Sequence, residues 1–444
     1  MAGASEPETV STRQQRIAEL AKQNPEMGFT SLNHHLDSEW LLAAYQRTRK
    51  DGATGVDEQT GEDYYRNLRD NLRSLLERAK SGTYRAAPVR RTYILKGTGP
   101  ETRPLGIPTF EDKVLQRAVV MLLEPIYEQD FKNCSYGYRA GRSAHQALDA
   151  VWRQTMGTQG GWVVEVDIRK FFDTLDHAQL RALLKRRVRD GVVLRLIGKW
   201  LNAGVLEAGS LSFPDAGTPQ GGVISPLLAN IYWHYVLDVW FEEEVRPRLQ
   251  GRAFLIRYAD DFIMGFSCEG DAHAVLDVLP KRFGKYGLTI HPTKTRLVPF
   301  RPPSRSPRAQ PGTAFPPGTF DFLGFTHFWG KSRTGTWVVK RQTAASRLVR
   351  AIKMIKQWFR RNRHHPIAEQ HQTLRSKLRG HYAYFGITGN SDALRRFRDA
   401  VTRLWRKWLS RRQSAPALSW DTIQRLLQRY PLPPAVAVHS VCRR

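Results

Sequence analysis

The chain has 444 residues, enough for two or three domains with sizeable cores. Lys and Arg number 69 against 41 Asp and Glu, a formal charge of +28, so the chain reads as the binder of a polyanion, either nucleic acid or an anionic membrane surface. No apolar run approaches the roughly 18 residues of a membrane span, and Cys134, Cys268 and Cys442 are too few and too scattered for a disulfide framework or a zinc site.

Residues 1–29 are polar and are expected to be mobile, with a short helix from Arg13 to Lys22; Met1 to Val10 suits neither a signal nor a transit peptide. From Ser38 the chain reads as mixed helix and loop, and Asp63 to Leu76 has helical spacing. Glu111 to Phe131 reads as a long amphipathic helix with Leu115, Val119, Leu122, Leu123 and Ile126 on one face. Trp162 to Asp167 reads as a strand that points Trp162, Val164 and Val166 into the core and turns Glu165 and Asp167 the other way. A glycine-rich turn, Gly217 to Gly222, precedes an apolar helix from Ser225 to Val239. Two apolar runs, Ala253–Ile256 and Phe262–Phe266, flank Tyr258-Ala259-Asp260-Asp261, which predicts a tight hairpin with an acidic tip. Arg301 to Pro317, rich in Pro, Ser and Arg, reads as an exposed loop. Helices are predicted over Ala344–Arg363, Ile367–Tyr384 and Ser391–Arg411, and Pro431, Pro433 and Pro434 close the last one. There is no internal repeat.

The charge is uneven. Lys331 to Arg444 holds 26 basic and 4 acidic residues, +22 of the total, which leaves +6 on the first 330 residues. A domain of ordinary charge is followed by a strongly basic one. Its Arg-rich helices interleave Trp358, Trp405 and Trp408, which are either stacking platforms for unpaired bases or helix core.

Adjacent carboxylates such as Asp260 and Asp261 repel each other, so the pair is either a solvated turn or part of a cation site. A strand-end aspartate, Asp167, together with a hairpin Asp-Asp is what two-metal phosphoryl transfer needs: two divalent ions about 3.5–4 Å apart that stabilise the attacking and leaving oxygens.

At this point the ordered blocks resemble those of group II intron-encoded reverse transcriptases (maturases) over nearly the whole chain. Gly55-Val56-Asp57, Arg91 to Lys96 and Arg103 to Thr109 resemble the N-terminal and fingers blocks; Ser135 to Ser143 resembles the next. The Asp167 strand, Gly217 to Gly222, the Tyr-Ala-Asp-Asp hairpin, Gly287-Leu288-Thr289 with Lys294-Thr295, and Phe322 to Phe325 follow in the family's order. Leu374 to Asn390, with Leu378 to Ile387 inside it, resembles the maturase domain, and Leu426 to Ser440, with Tyr430 to Pro433 and Val438 to Ser440, the family's tail. Leu95, Ala140 and Glu58 depart from the family's pattern, with Pro, Pro and Gly usual at these places.

The resemblance implies an α+β fold: a right-hand polymerase of fingers and palm with an antiparallel palm sheet, then an all-helical thumb and maturase domain. The implied layout is a flexible segment 1–29, fingers and palm 30–329, thumb and maturase 330–412 and a basic segment 413–444. Position by position, Asp167, Asp260 and Asp261 match the ligands of two Mg²⁺ ions (Mn²⁺ being the alternative), and Lys294 a lysine that acts as general acid to pyrophosphate or as a plain phosphate contact. Lys96 and Arg103 match the cations that hold the incoming triphosphate. Gln220 matches the glutamine of the nucleotide pocket, Phe172 the aromatic that excludes a 2′-hydroxyl, and Tyr258 stands with them in the substrate site. Phe171 reads as core, and Leu323-Gly324-Phe325 matches the primer grip or a buried strand.

The implied activity is RNA-directed DNA synthesis by a group II intron protein that also binds its intron RNA and promotes splicing and mobility. The implied partners are intron RNA, an RNA template with a DNA primer, a DNA target and dNTPs, in a bacterial cytoplasm with no membrane partner. With Cys442 alone near the end, no zinc-stabilised HNH endonuclease is expected. The rival readings are a domesticated reverse transcriptase in defence or DNA repair, and a splicing maturase with a vestigial polymerase; an RNA-dependent RNA polymerase is disfavoured by the bulky Phe172.

Overall fold

The computed structural model describes residues 9–95, 102–169, 171–207, 209–212, 221–303, 318–412 and 418–439. These divide into two compact units, one within 9–147 and 164–297, the other within 148–163 and 298–439.

In the first unit the chain begins with α1 (Val10–Gln23), α2 (Ser38–Arg47), α3 (Gly61–Arg66) and α4 (Leu68–Ser81). Strands β1 (Val89–Leu95) and β2 (Thr102–Ile107) lead into α5 (Phe110–Asp130). Then come α6 (Ala144–Gly157) and β3 (Gly161–Val166), which the division crosses after Ala147 and before Val164, and α7 (Phe171–Thr174), α8 (His177–Leu184), α9 (Gly191–Leu201), β4 (Val205–Glu207), β5 (Ser210–Ser212) and α10 (Ser225–Trp233). The hairpin β6 (Ala253–Tyr258) and β7 (Asp261–Phe266) and α11 (Glu269–Gly284) complete it, and β8 (Arg296–Phe300) crosses the division after Leu297. One sheet has the order β2-β1-β4-β5 and a second β6-β7-β3-β8.

The segment expected to be mobile is ordered from residue 10. Its polar composition conceals a narrow buried stripe of Arg13, Ile17 and Ala21. Arg13 pairs with Asp37 at 2.5 Å and lies over the face of Trp40, so its stem is packed while its charge is matched. The helical spacing of 63–76 resolves into two helices that break at Asn67.

Helix α5 is the axis of this unit. The single apolar face expected for it widens to most of its circumference, Val114, Leu115, Ala118, Val119, Met121, Leu122, Leu123 and Ile126 all being buried. Trp40 donates its indole N–H to the Ala118 carbonyl at 2.9 Å. Asp112 is buried at its N-terminal end, with its carboxylate accepting from the Tyr84 hydroxyl, which in turn accepts from the Trp200 indole at 2.9 Å.

In the second unit β9 (Phe320–Phe322), β10 (Phe325–Lys331) and β11 (Trp337–Thr343) form an antiparallel sheet of order β11-β10-β9. Helices α12 (Ala345–Asn362), α13 (Ile367–Phe385), α14 (Ser391–Ser410) and α15 (Trp420–Arg429) follow. The part expected to be all-helical from residue 330 therefore opens with strands. The expected boundary at 329/330 cuts β10, because Phe325 to Lys331 pairs continuously with Trp337 to Thr343. The three long helices fall within one residue of their predicted bounds at each end. Trp405 and Trp408 are buried in their core with Phe359, Leu378 and Phe397, and Trp358 packs against it, so these indoles are core and not stacking platforms. Among the described residues no helix is long and apolar enough to cross a membrane.

Burial pushes the Asp112 carboxyl up to about 6, with the hydrogen bonds from Tyr84 and Thr109 opposing. An acid raised above its ordinary 3.8 favours the fold most when protonated, so this contribution is full below about pH 4, declines as pH rises to about 6 and is flat above. It amounts to on the order of 3 kcal/mol at 1.36 kcal/mol per unit. In thermal melts the stability of Asp112→Asn relative to the wild type should rise between pH 4 and 6 and then level off; a constant difference across that window would show that Asp112 does not titrate there.

Candidate active site

Strands β6 and β7 pair in register from Ala253 opposite Phe266 to Tyr258 opposite Asp261, which leaves Ala259 and Asp260 as a two-residue turn. Ala259 has φ 59°, a left-handed conformation that costs an L-residue roughly 1–2 kcal/mol, so something must hold the turn. That is Arg257, whose side chain is fully buried on the strand beneath. Its Nε and Nη2 donate to the two Asp238 oxygens at 2.8 and 2.6 Å. Nη1 donates to Asn230 Oδ1 at 3.0 Å and to the Ala259 carbonyl at 2.9 Å, and Nη2 also donates to Ser135 Oγ at 2.7 Å. All five guanidinium donors are thus matched, and one of them reaches the turn itself.

The acceptors come from a helix that departs from regular α geometry. After α10, residues His234–Asp238 and Trp240–Val245 continue in wider π-type turns, where an α-helix through Val239 was expected. Asn230 and Asp238 are eight residues apart and would lie roughly 80° apart around an α-helix. The wider turns bring both onto the same guanidinium. From the other side, Arg257 N donates to Cys134 O and Tyr136 N to Arg257 O, and Asn230 Nδ2 donates to Gly137 O at 2.7 Å. A side chain at Gly137 would run into the backbone of Ala259, so glycine is required where the two chains meet. The acidic turn therefore rests on a fully buried base while Asp260 and Asp261 are exposed.

Strand β3 lies beside β7 in the sheet and delivers Asp167 from its end. The segment after α11 is laid along it: His291 N donates to Asp167 O at 2.7 Å, Ile290 bridges Ile168, and Arg169 N donates to Thr289 O. Lys294 Nζ sits 3.1 Å from Asp167 Oδ2, and Arg296 pairs with Glu165. Glu165 and Asp167 do share the strand face expected of them, opposite two cations with the same two-residue spacing. The adjacent phenylalanines part ways: Phe171 is buried and stacked on Trp233 at 4.9 Å, whereas Phe172 is half-buried and edge-on to Phe171.

Tyr258 closes the hairpin and is half-buried. Arg103 is exposed on β2 opposite Ile94. The Tyr138 phenol is held above its ordinary value by partial desolvation first, then by the nearby Asp260 and Tyr258, with Arg103 opposing, which places these four groups in one neighbourhood. Gly221, at φ 119°, closes against Gly106, where a Cβ would meet the Gly106 carbonyl oxygen at 2.7 Å. Gln116 Oε1 accepts from Val223 N at 2.8 Å and orients the chain leaving that turn. Lys96 and Gln220, and Gly217 to Pro219, lie outside the described residues. In the second unit, Leu323 (φ 50°) and Gly324 (φ 80°) form the turn between β9 and β10, fixed by the Tyr384 hydroxyl donating to Leu323 O.

Among the described residues no group of three Asp, Glu, His or Cys side chains is gathered closely enough to cage a metal. The donor set is nonetheless oxygen-only and exposed, and Mg²⁺ needs just one or two carboxylates when water and phosphate complete its shell, so the residues fit that ion. Arg257, Asp238, Asn230 and Ser135 were not singled out from the sequence. The signal was there in the form of one cation inside the apolar strand 253–258 and one acid inside the apolar stretch 225–241, each costly to bury without the other.

Residues 94–327 match the family described as reverse transcriptase (RNA-dependent DNA polymerase), and residues 348–426 the group II intron maturase-specific domain. The group II intron-encoded protein LtrA of Lactococcus lactis subsp. cremoris is 40% identical over 224 residues, 50% of this chain and 37% of that protein. Protein YkfC of Escherichia coli K12 is 34% identical over 287 residues, 57% of this chain and 75% of that protein. An uncharacterized 91 kDa protein in the cob intron of Schizosaccharomyces pombe is 39% identical over 173 residues, 39% of this chain and 21% of that protein. The chain thus spans little more than a third of LtrA.

Removing Arg257 strands a buried carboxylate, so Arg257→Ala should cost about 3–5 kcal/mol in urea unfolding. Arg257→Lys, with three donors for five acceptors, should fold at reduced stability; a wild-type midpoint for both variants would show that the network does not hold the hairpin.

Proposed function

The chain belongs to the group II intron reverse transcriptase and maturase family, and from that premise we propose that it is an RNA-directed DNA polymerase that also binds intron RNA. The observation that carries the polymerase reading is the pair of exposed carboxylates, Asp260 and Asp261, on a buried, fully hydrogen-bonded base beside the strand that delivers Asp167. Such a turn is costly to build for a solvated loop, whereas rigid placement of acids is what phosphoryl transfer requires.

In this reading the first unit supplies the fingers and palm of a right-hand polymerase and α12 to α14 the thumb. Asp167, Asp260 and Asp261 would hold divalent cations, Mg²⁺ or Mn²⁺, which would supply Lewis acidity for attack of a primer 3′-oxygen on a dNTP with loss of pyrophosphate. Lys294 neutralises Asp167 in this structure and is in position to leave it for the pyrophosphate, as proton donor or as phosphate contact. Arg103 and Lys96 hold the triphosphate, bidentate geometry favouring the arginine. Phe172, braced edge-on by a buried Phe171, bounds the ribose and excludes a 2′-hydroxyl. Gln220 and Tyr258 complete the nucleotide pocket. Binding of intron RNA, and through it splicing and mobility, draws support from the maturase-domain match and from the +22 charge carried by residues 331–444.

Primer extension on an RNA template tests the reading. Asp260→Ala should lower extension by about 10³-fold or more while RNA binding persists; extension at the wild-type rate would refute the catalytic assignment. Phe172→Ala should raise ribonucleotide incorporation relative to dNTPs by roughly tenfold, equivalent to about 1.4 kcal/mol, and an unchanged ratio would remove Phe172 from the ribose pocket.

A further inference from the structure

Positive charge is also dense within the first unit. Residues 181–199 hold seven basic residues and one acid, +6. The acid, Asp190, is buried and committed to backbone N–H groups of Leu32, Asn33, Val192 and Val193. Arg187 is buried against Asp130. Arg186 lies over the Tyr235 ring, and Arg189 donates to the Lys185 carbonyl. Four cations remain around one trough: Arg181 and Lys185 at the end of α8, and Arg195 and Lys199 on α9, each pair one helical turn apart.

The trough consists of two adjoining cavities of about 710 and 450 Å³ that share Arg181, Lys185 and Asn202. One end is lined by Arg195 and Lys199, the other by Asp176, Thr174 and Gly287, where the chain leads back to the segments that carry Asp167. Arg181 is not a free surface arm. A Cβ at Gly198 would meet its Nη2 at 2.8 Å, so the guanidinium lies on bare α9 backbone. A glycine inside a helix is less favourable than alanine, and like charges one turn apart repel.

Structural duties account for half of this charge. Arg195 Nη2 donates to Lys80 O at 3.2 Å and Lys199 Nζ to Gly82 O at 2.7 Å, which caps the carbonyl end of α4. Arg181 and Lys185 have no such duty: they are exposed, and among the described residues neither pairs with a carboxylate; Asp176 already caps α8. Two pairs of like charges facing one another across an open trough call for an anion that spans it.

We propose that this trough binds the phosphodiester backbone of an RNA strand, with Arg181 and Lys185 as the phosphate ligands and Arg195 and Lys199 reinforcing the field. The trough is built from residues of the first unit alone. It rests on the polymerase and maturase reading only in naming RNA as the polyanion.

The test uses the full chain and the double variant Arg181→Gln/Lys185→Gln, whose melting temperature should match the wild type because both side chains are exposed. Affinity is measured over a salt series for a blunt RNA–DNA template–primer, the same duplex with an unpaired template extension, and a structured RNA without primer. At least one RNA should bind roughly tenfold more weakly to the variant, with the slope of log affinity against log salt reduced by about 1.4–1.8, two phosphates at 0.7–0.9 each. Loss that needs the extension assigns the trough to the template, loss on the structured RNA alone assigns it to folded RNA, and loss on the blunt duplex assigns it to the template–primer. Unchanged affinity and slope on all three, with wild-type binding intact, would overturn the trough and leave the polymerase reading standing; a wild type that binds none of them would overturn that reading instead. Should the double variant melt early, Lys185→Gln alone replaces it, with the slope expected to fall by about 0.7–0.9 for one phosphate, and an unchanged slope on all three RNAs would overturn the trough.

Discussion

The candidate site depends on one buried ion pair, Arg257 with Asp238, both fully removed from water. Burying two charges is not in itself stabilising, since desolvation offsets most of their attraction. What the pair contributes is definition. A guanidinium with five matched donors has one orientation, and one of those donors ends on the carbonyl of Ala259 in the acidic turn. Left-handed backbone at Ala259, the bare backbone of Gly137 against it and the widened helical turns that carry Asp238 all follow from that requirement.

Above this base the chemistry is left open. Asp260 and Asp261 are exposed, and Asp167 is shared with Lys294. Among the described residues the acidic side chains are not gathered into a cage, and Asp167 is paired with Lys294, so the repulsion between carboxylates is relieved within the protein itself. Glu165 with Arg296 and Asp167 with Lys294 repeat the same pairing two residues along the strand. The polar face of β3 is thus matched before any substrate arrives.

The sequence alone conveyed a good deal of this. Long amphipathic helices read correctly because a 3.6-residue period survives any tertiary context, as in α12 to α14. The hairpin read correctly because two apolar runs around a five-residue centre that ends in two acids admit few other structures. The reading failed where composition masked packing. The short helix expected in the polar N-terminal stretch is present but docked, because Arg13 lends its stem to the core, and the stretch expected to be helical from residue 330 opens with strands, since β10 and β11 complete a sheet begun at Phe320. For Trp405 and Trp408 the sequence left core and stacking platform both open, and packing with Phe359, Leu378 and Phe397 makes them core. Glu58 stands where glycine is usual in similar proteins and has φ 53°, which supplies the physical reason for that preference.

What the sequence determined by itself is the chemical inventory: three aspartates in a strand-end and hairpin pattern, an aromatic pair after the first, and a charge split that sets +22 apart from +6. These are local or additive properties and need no coordinates. The tertiary structure alone decided which of the two phenylalanines is core and which is left half-open, and which buried arginine carries the acidic turn. It also decided which part of the charge in residues 181–199 caps a helix and which faces an open trough. Those distinctions depend on partners more than a hundred residues away, such as Ser135 for Arg257 and Gly82 for Lys199, and no local pattern encodes them.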